Sequence, residues 1–274
     1  MRLNLAGRNA ILTGANGGLG VHFTAALSKA GMNLLLVAYP GIGLEDVQAA
    51  TRKDSVQAEI LVADLRVPEE RTRVVETVMA RFGSIDLLVN NAGGEFWSTY
   101  HDLDVDRICD VIDVNLEAPM MLTRLTLPHM LLQRRGHIVN ISSLARKSGP
   151  GHQEPYVAMK AGLSASTLSL RGTGASASVI TPGFVEAGIH SRLKVQTGRS
   201  ASMFLGACSP QKVCAALLRA VRDDVPEIIV NRYPIRPVLA LTTLFPAFGE
   251  WMTEWTGTNA CFKRAHDASK GGKG

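Results

Sequence analysis

Disulfide and metal chemistry have little to work with in this sequence of 274 residues. Its four cysteines, Cys109, Cys208, Cys214 and Cys261, form no CxxC pair and have no histidine at zinc-ligand spacing. Free thiols in a reducing cytoplasm are the expectation. No stretch approaches the roughly 18 apolar residues of a membrane span. The nearest, Val238 to Phe248, is broken by Thr242, Thr243 and Pro246. The start, Met1 to Arg8, lacks the apolar core of a secretory signal. Charge is close to balanced, 29 Lys+Arg against 24 Asp+Glu, and the basic residues form no stripe interleaved with aromatics. Nucleic acid is therefore not an expected partner. Gly 26 and Pro 12 are ordinary counts and exclude collagen-like or low-complexity chains.

What is present is a rhythm of short apolar runs and helix-length segments. Ala10-Ile11-Leu12, Leu34 to Val37, Ile60-Leu61-Val62, Leu87-Leu88-Val89 and Ile138 to Ile141 read as strands, and Glu227 to Val230 as a late one. Nearly continuous apolarity marks parallel strands covered on both faces. Helical segments such as Gly18 to Ala30 and Glu69 to Arg81 lie between them, and Ser209-Pro210 opens another. The expected class is α/β, a single Rossmann-type doubly wound parallel sheet with helices on both faces. Residues 1–232 are read as this domain, 233–264 as an apolar extension packed on it or on a partner, and 265–274 as a disordered tail.

The first strand runs into Thr13-Gly14-Ala15-Asn16-Gly17-Gly18-Leu19-Gly20 and then a helix. Glycines there allow positive φ and let backbone approach a pyrophosphate at the helix N-terminus. Asn90-Asn91-Ala92-Gly93, Asn115, Ser143, Tyr156-Val157-Ala158-Met159-Lys160 and Thr181-Pro182-Gly183 follow in order. With this set the sequence resembles the short-chain dehydrogenase/reductase family over about residues 5 to 230.

The resemblance implies a dinucleotide site. Gly14, Asn16, Gly18, Leu19 and Gly20 would shape its pyrophosphate end, and Asp64 and Leu65 would hold adenine. Asn91, Ala92 and Gly93 would line a ribose, while Pro182, Gly183 and Val185 would pass the nicotinamide carboxamide. A Thr that relatives carry soon after Pro-Gly is replaced here by Glu186-Ala187. At the end of the second strand, Ala38 and Tyr39 stand where an acid would hold a ribose 2′-OH or a base would meet a 2′-phosphate. Tyr39 could stack on adenine, and Asn16 or Arg52 could reach a phosphate. The missing acid favours NADP(H) over NAD(H).

Reduction of a carbonyl leaves an alkoxide that must be protonated. A free phenol, with a pKa near ~10, needs help to exchange protons at neutral pH. Lys160 lies four residues after Tyr156 and shares its helix face, so an ammonium there stabilises the phenolate. The resemblance makes Tyr156 the acid/base and Lys160 its tuning partner and a ribose contact. Ser143 would hold the carbonyl oxygen, and Asn115 would order a proton relay. Pro119 lacks the N–H that would bond the Asn115 carbonyl, so the helix should deform there. Ser142 should point the other way. His152 and Arg146-Lys147 read as solvated loop residues. Phe96 and Trp97 could line the substrate site or simply pack.

Lys160 to Pro182 is about one helical turn shorter than the family pattern, so the Tyr156 helix should stop near Arg171. The segment 184–207, with Phe184, Ile189, Leu193, Met203, Phe204 and Leu205 beside Arg192, Lys194 and Arg199, would cover substrate. The extension after Tyr233 could cap an apolar pocket, meet a second subunit or rest against lipid. Trp97, Trp251 and Trp255 all fall in these regions. The expected function is an NAD(P)-dependent oxidoreductase of the cytoplasm. It would interconvert a lipophilic ketone or aldehyde and an alcohol, and work as a homo-oligomer without metal. A non-catalytic NAD(P)H-binding regulator or scaffold on the same fold is the alternative.

Overall fold

The computed structural model describes residues 4–40, 47, 51, 56–95, 97–188, 191, 193–195 and 206–271. Phe96, Arg52, Ile189, Arg192, Arg199, Met203, Phe204 and Leu205 lie outside them. The apolar runs form strands β1 (Asn9–Thr13), β2 (Asn33–Ala38), β3 (Ala58–Val62), β4 (Leu87–Asn90), β5 (His137–Ile141), β6 (Ala177–Pro182) and β7 (Glu227–Val230). All pair in parallel in the order β3-β2-β1-β4-β5-β6-β7. The strand β6 carries Ser178 and Thr181 among its apolar residues, which hid it from the run-based reading. Edge strand β3 is only partly covered, unlike the others in the left half of the sheet.

Alternate residues of one strand feed two cores. Leu12, Leu34, Leu36, Leu87 and Val89 pack on one face with Phe23 and Leu27 of α1 (Gly20–Lys29) and with Val213 and Leu217 of α7 (Pro210–Asp223). Ile11, Leu35, Leu88 and Ile138 pack on the other with Val74 and Val78 of α2 (Pro68–Phe82) and with Leu122 of α4 (Ala118–Leu132). Each fully buried Leu or Ile contributes roughly 2 kcal/mol of transfer free energy, which makes the sheet a rigid platform.

Strand order reverses between β1 and β4, so a crevice opens past their C-terminal ends. Thr13 and Asn91 stitch that junction. The Thr13 hydroxyl accepts from the Asn91 and Ala92 amides, both at 3.0 Å, and the Asn91 amide group donates to the carbonyls of Thr13 and Gly14 at 3.0 Å.

The extension forms three helices: α8 (Arg236–Leu244), α9 (Pro246–Trp255) and α10 (Thr258–Gly271). The tail expected to be disordered from Ala265 is instead helical to Gly271. Cys261, Phe262 and Ala265 recur at helical spacing and pack on Trp97 and Leu193, and His266 is buried beside them. Composition rich in Gly and Lys masked that stripe. Arg146 and Lys147, expected in solvent, face Glu227, with Arg146 hydrogen-bonded to it and Lys147 at 3.7 Å.

Candidate active site

One cavity of about 780 Å³ runs from the turn after β1, over the ends of β4, β5 and β6, to α8, α9 and α10. Among the described residues it is bordered by Asn115, Ser143, Tyr156 and Lys160 and by each residue assigned above to the dinucleotide except Gly20. That glycine lies behind the surface: a Cβ on it would fall 2.1 Å from the Gly14 carbonyl oxygen, so it closes the turn from within. Gly14, at φ +62°, adopts a conformation that side chains resist, and a Cβ there would meet the Ala92 backbone at 2.8 Å. Helix α1 has no side-chain cap and no acid in its first turn. Its N-terminus therefore offers amide groups and positive potential to an anion. Gly18 meets Gly188 across this end: a Cβ on Gly18 would lie 2.3 Å from the Gly188 backbone. The loop after β6 thus approaches through two glycines where a Thr was absent. These cradles fit a dinucleotide pyrophosphate.

At the adenosine end, Asn16 does not point outward as expected for a phosphate ligand. Its side-chain amide donates to the Tyr39 carbonyl at 2.9 Å and accepts from the Tyr39 amide at 3.1 Å, clamping the end of β2. Asp64 is already occupied by Arg66, whose Nη2 donates to Oδ2 at 2.7 Å and Nε to Oδ1 at 3.0 Å. The guanidinium holds the Asp64 carboxyl below its ordinary range. Arg66 also donates to Asp110 at 2.8 Å and to the Tyr39 hydroxyl at 3.1 Å. Arg66, Asp110 and Thr13 were not found by sequence reasoning. The i, i+2 pair Asp64 and Arg66 after a strand was the available signal.

The chemical end is built on α6 (Glu154–Arg171), which stops at Arg171 as the shortened spacing requires. Tyr156 and Lys160 are buried on one face, and the Lys160 Nζ sits 5.6 Å from the Tyr156 ring centroid. That ammonium donates to the Ile141 carbonyl at 3.0 Å. Burial lowers its pKa to about 8, while the Glu95 carboxylate acts in the opposite sense. Ser143 lies in the turn between β5 and the short helix α5 (Ala145–Ser148), with its hydroxyl accepting from the Ala145 amide at 3.2 Å. Ser142 does point away and donates to the Lys160 carbonyl at 3.0 Å.

Asn115 is buried in a π-helical turn, Asp113–Glu117, that joins α3 (Val105–Ile112) to α4. Pro119 cannot donate back to residue 115, and the hydrogen bonds there span five residues instead of four. The Asn115 amide donates to Gly94 at 2.8 Å and Val111 at 3.0 Å, leaving Oδ1 buried without a partner among the described residues. A Cβ on Gly93 would fall 2.7 Å from that oxygen and 3.4 Å from the Lys160 Nζ, so Gly93 fits between the two. Such an orphaned acceptor beside an ammonium suits a bound water.

Ile235, Val238, Leu239 and Thr242 of the α8 segment, with Met252, Thr253 and Thr256 of the α9 segment, wall the far side of the cavity. Trp97 does not line it; the ring packs among Leu193, Cys261 and Phe262. Trp251 and Trp255 are more than half exposed on the outside of α9. The α8 and α9 wall is aliphatic and threonine-rich, and the phenylalanines on the cavity are Phe184 and Phe262, so the tryptophans are not the aromatic lining. His152 is likewise not in solvent alone; its ring stacks on His266.

Residues 8–197 match the family model for short chain dehydrogenases. The ketoacyl reductase HetN of Nostoc sp. is 36% identical over 250 residues, covering 90% of this chain and 85% of that one. An uncharacterized oxidoreductase of Staphylococcus saprophyticus is 31% identical over 242 residues, covering 86% of this chain and 100% of its own length. A metagenomic short-chain oxidoreductase solved in complex with NADP superposes with a TM-score of 0.69 at 28% identity, covering 85% of this chain and 100% of that structure. The chain belongs to the short-chain dehydrogenase family and is an oxidoreductase.

Proposed function

We propose that the protein reduces a lipophilic ketone or aldehyde to an alcohol with NADP(H), using Tyr156 as the proton donor. The carrying observation is the buried Lys160 ammonium beside Tyr156, with Ser143 and Asn115 on the same cavity. When bound, the nicotinamide supplies the hydride. Gly14, Gly18, Leu19, Asp64, Leu65, Asn91, Ala92, Gly93, Pro182, Gly183 and Val185 would hold the dinucleotide along the cavity floor.

Ser143 orients the carbonyl oxygen and donates to it as negative charge grows there. Tyr156 delivers its proton to that oxygen. Lys160 lowers the cost of the phenolate left behind, because an ammonium at close range favours the charged form of tyrosine. Asn115 positions a water through its unpaired Oδ1, so a proton can return to the buried pair from solvent. The apolar wall contributed by α8 and α9 favours a substrate with a hydrocarbon body. The name ketoacyl reductase, carried by the Nostoc relative, is in keeping with carbonyl reduction.

Homo-oligomerisation and peripheral lipid contact belong to the same reading. Met120, Met121, Leu131 and Leu168 expose apolar surface on α4 and α6, and Phe245, Trp251 and Trp255 expose it on the extension. No helix among the described residues is long and apolar enough to cross a membrane. Free cysteines fit a cytoplasmic setting.

The test is a panel of ketones and alcohols followed at the nicotinamide absorbance with each cofactor. Wild-type protein turns over with NADPH, and Tyr156→Phe loses at least ~100-fold in kcat while keeping NADPH affinity. Turnover that survives in Tyr156→Phe removes the acid/base assignment, and binding without turnover on any substrate returns the scaffold reading.

A further inference from the structure

The adenosine end of the cavity carries no acid or base at the end of β2, yet a guanidinium stands there. Arg66 comes from the loop after β3 and borders the cavity beside Tyr39. It reaches Tyr39 both through the hydroxyl, at 3.1 Å, and over the ring, at 5.8 Å from guanidinium carbon to centroid. Because Asn16 clamps the Tyr39 backbone on both sides of its amide, the Tyr39 position is fixed relative to the glycine-rich turn. Arg66 is thus held at the end of β2 from the neighbouring strand, where an arginine accommodates a ribose 2′-phosphate in this class of fold.

We propose that Arg66 is the residue that reads the 2′ position of the adenine ribose, exchanging Asp110 for a 2′-phosphate when NADP(H) binds. This rests on the dinucleotide reading above and names a specificity determinant for it.

The two carboxylates on Arg66 are not equivalent. Asp64 takes Nε and Nη2 together in a forked pair and has its side chain 24% exposed. Asp110 takes a single Nη1 bond and has its side chain 45% exposed. A solvent-facing single bond of that kind is weak and readily exchanged. A phosphate offers three acceptor oxygens and more than one negative charge, and arginine matches it in plane. Asp64 therefore works as the bracket that aims the guanidinium, and Asp110 as the placeholder that satisfies it when no phosphate is present. Arg107, exposed one helical turn before Asp110 on α3, also borders the cavity, so that among the described residues lining it here two cations face two carboxylates. The site is then not repulsive to an incoming dianion. Ala38 contributes no carboxylate to oppose it.

The experiment compares NADPH and NADH dissociation constants, by nucleotide fluorescence titration, for the wild type, Arg66→Gln and Asp110→Asn. The expected wild type binds NADPH more tightly than NADH. Arg66→Gln weakens NADPH at least tenfold and NADH less than threefold. Asp110→Asn, by removing the placeholder, tightens NADPH severalfold and leaves NADH unchanged. Equal weakening of both nucleotides in Arg66→Gln would mean that the residue only props up Asp64, and would overturn the proposal. Unchanged NADPH affinity in both variants would overturn it as well, while tight wild-type binding of either nucleotide leaves the dinucleotide reading standing. A wild type that binds neither nucleotide removes both. A circular dichroism melt of each variant separates loss of contact from loss of fold; should Arg66→Gln melt early, Asp110→Asn, with its opposite expected sign, still decides.

Discussion

The Lys160 ammonium is anchored to the Ile141 carbonyl at the tip of β5, 3.0 Å away, so the reactive helix is tied to the sheet through its own catalytic candidate. One end of the side chain's surroundings is a strand terminus, the other is the ring of Tyr156. Burial brings its pKa to about 8, within reach of neutral pH.

Carbonyl reduction should decline as pH rises through about 8, as Lys160 loses its proton. Glu95 opposes the effect of burial, so Glu95→Gln should shift this limb of the kcat/KM profile to lower pH. A profile recorded from pH 6 to 10 on both proteins checks this. A limb that stays in place in Glu95→Gln would detach Glu95 from the ammonium.

The same burial sets stability against activity. Lys160 has a folded pKa below its ordinary 10.5, so the penalty is complete below about pH 8 and vanishes above the unfolded value. Lys160→Met should abolish turnover yet raise the melting temperature at pH 7. The ceiling is about 3 kcal/mol, reduced by losing the bond to Ile141. Its advantage should shrink between pH 8 and 10. Thermal melts at pH 7 and pH 10 read both signs.

His137, at the other end of β5 from Ile141, gives a cleaner titration. Its pKa falls to about 4, because the ring is buried, with Asp224 opposing the shift. The Ser178 hydroxyl donates to the Val225 carbonyl at 2.6 Å and sits 2.8 Å from the His137 Nε2, so Nε2 carries the proton of the neutral ring and is no base. Because the unfolded ring binds a proton more readily, the His137 contribution to stability should be flat above pH 6.5. It should then drop by about 3 kcal/mol between pH 6.5 and 4. Urea unfolding of wild type and His137→Gln at pH 7 and 4.5 tests it; the variant should lose less on acidification.

Two glycines should fail in different ways. Gly18→Ala drives a methyl against the Gly188 backbone and must displace the loop after β6, so NADPH binding should weaken by tenfold or more with the fold intact. Gly20→Ala drives a methyl into the Gly14 carbonyl within the turn, so it should cost stability, roughly 2 kcal/mol or more. Titration calorimetry and melts, run side by side, separate the pair.

Much of the architecture could be read from the chain because parallel strands buried on both faces leave continuous apolar runs, as in Leu34–Val37. Where the pattern was diluted the reading failed, as with Ser178 and Thr181 in β6 and with Ala265 and His266 in α10. The candidate site residues Gly14, Asn115, Ser143, Tyr156 and Lys160 were legible as a set through the family resemblance that their order carries. Arg66 was not, because its partners Tyr39 and Asp110 are 27 and 44 residues distant and meet it only through the sheet order. The orientation of α9 was equally hidden. Trp251 and Trp255 looked like pocket residues by size, but Gly249, Met252, Thr253 and Thr256 take the inward positions.

That wall has one further consequence. On the assignment proposed here, the groups that handle hydride and proton lie between Gly14 and Val185, while much of the pocket's apolar surface comes from Ile235 onward. Reaction and choice of substrate are therefore encoded in separate stretches of the chain. A change confined to the terminal helices would then alter substrate preference while leaving the residues proposed for hydride and proton transfer in place.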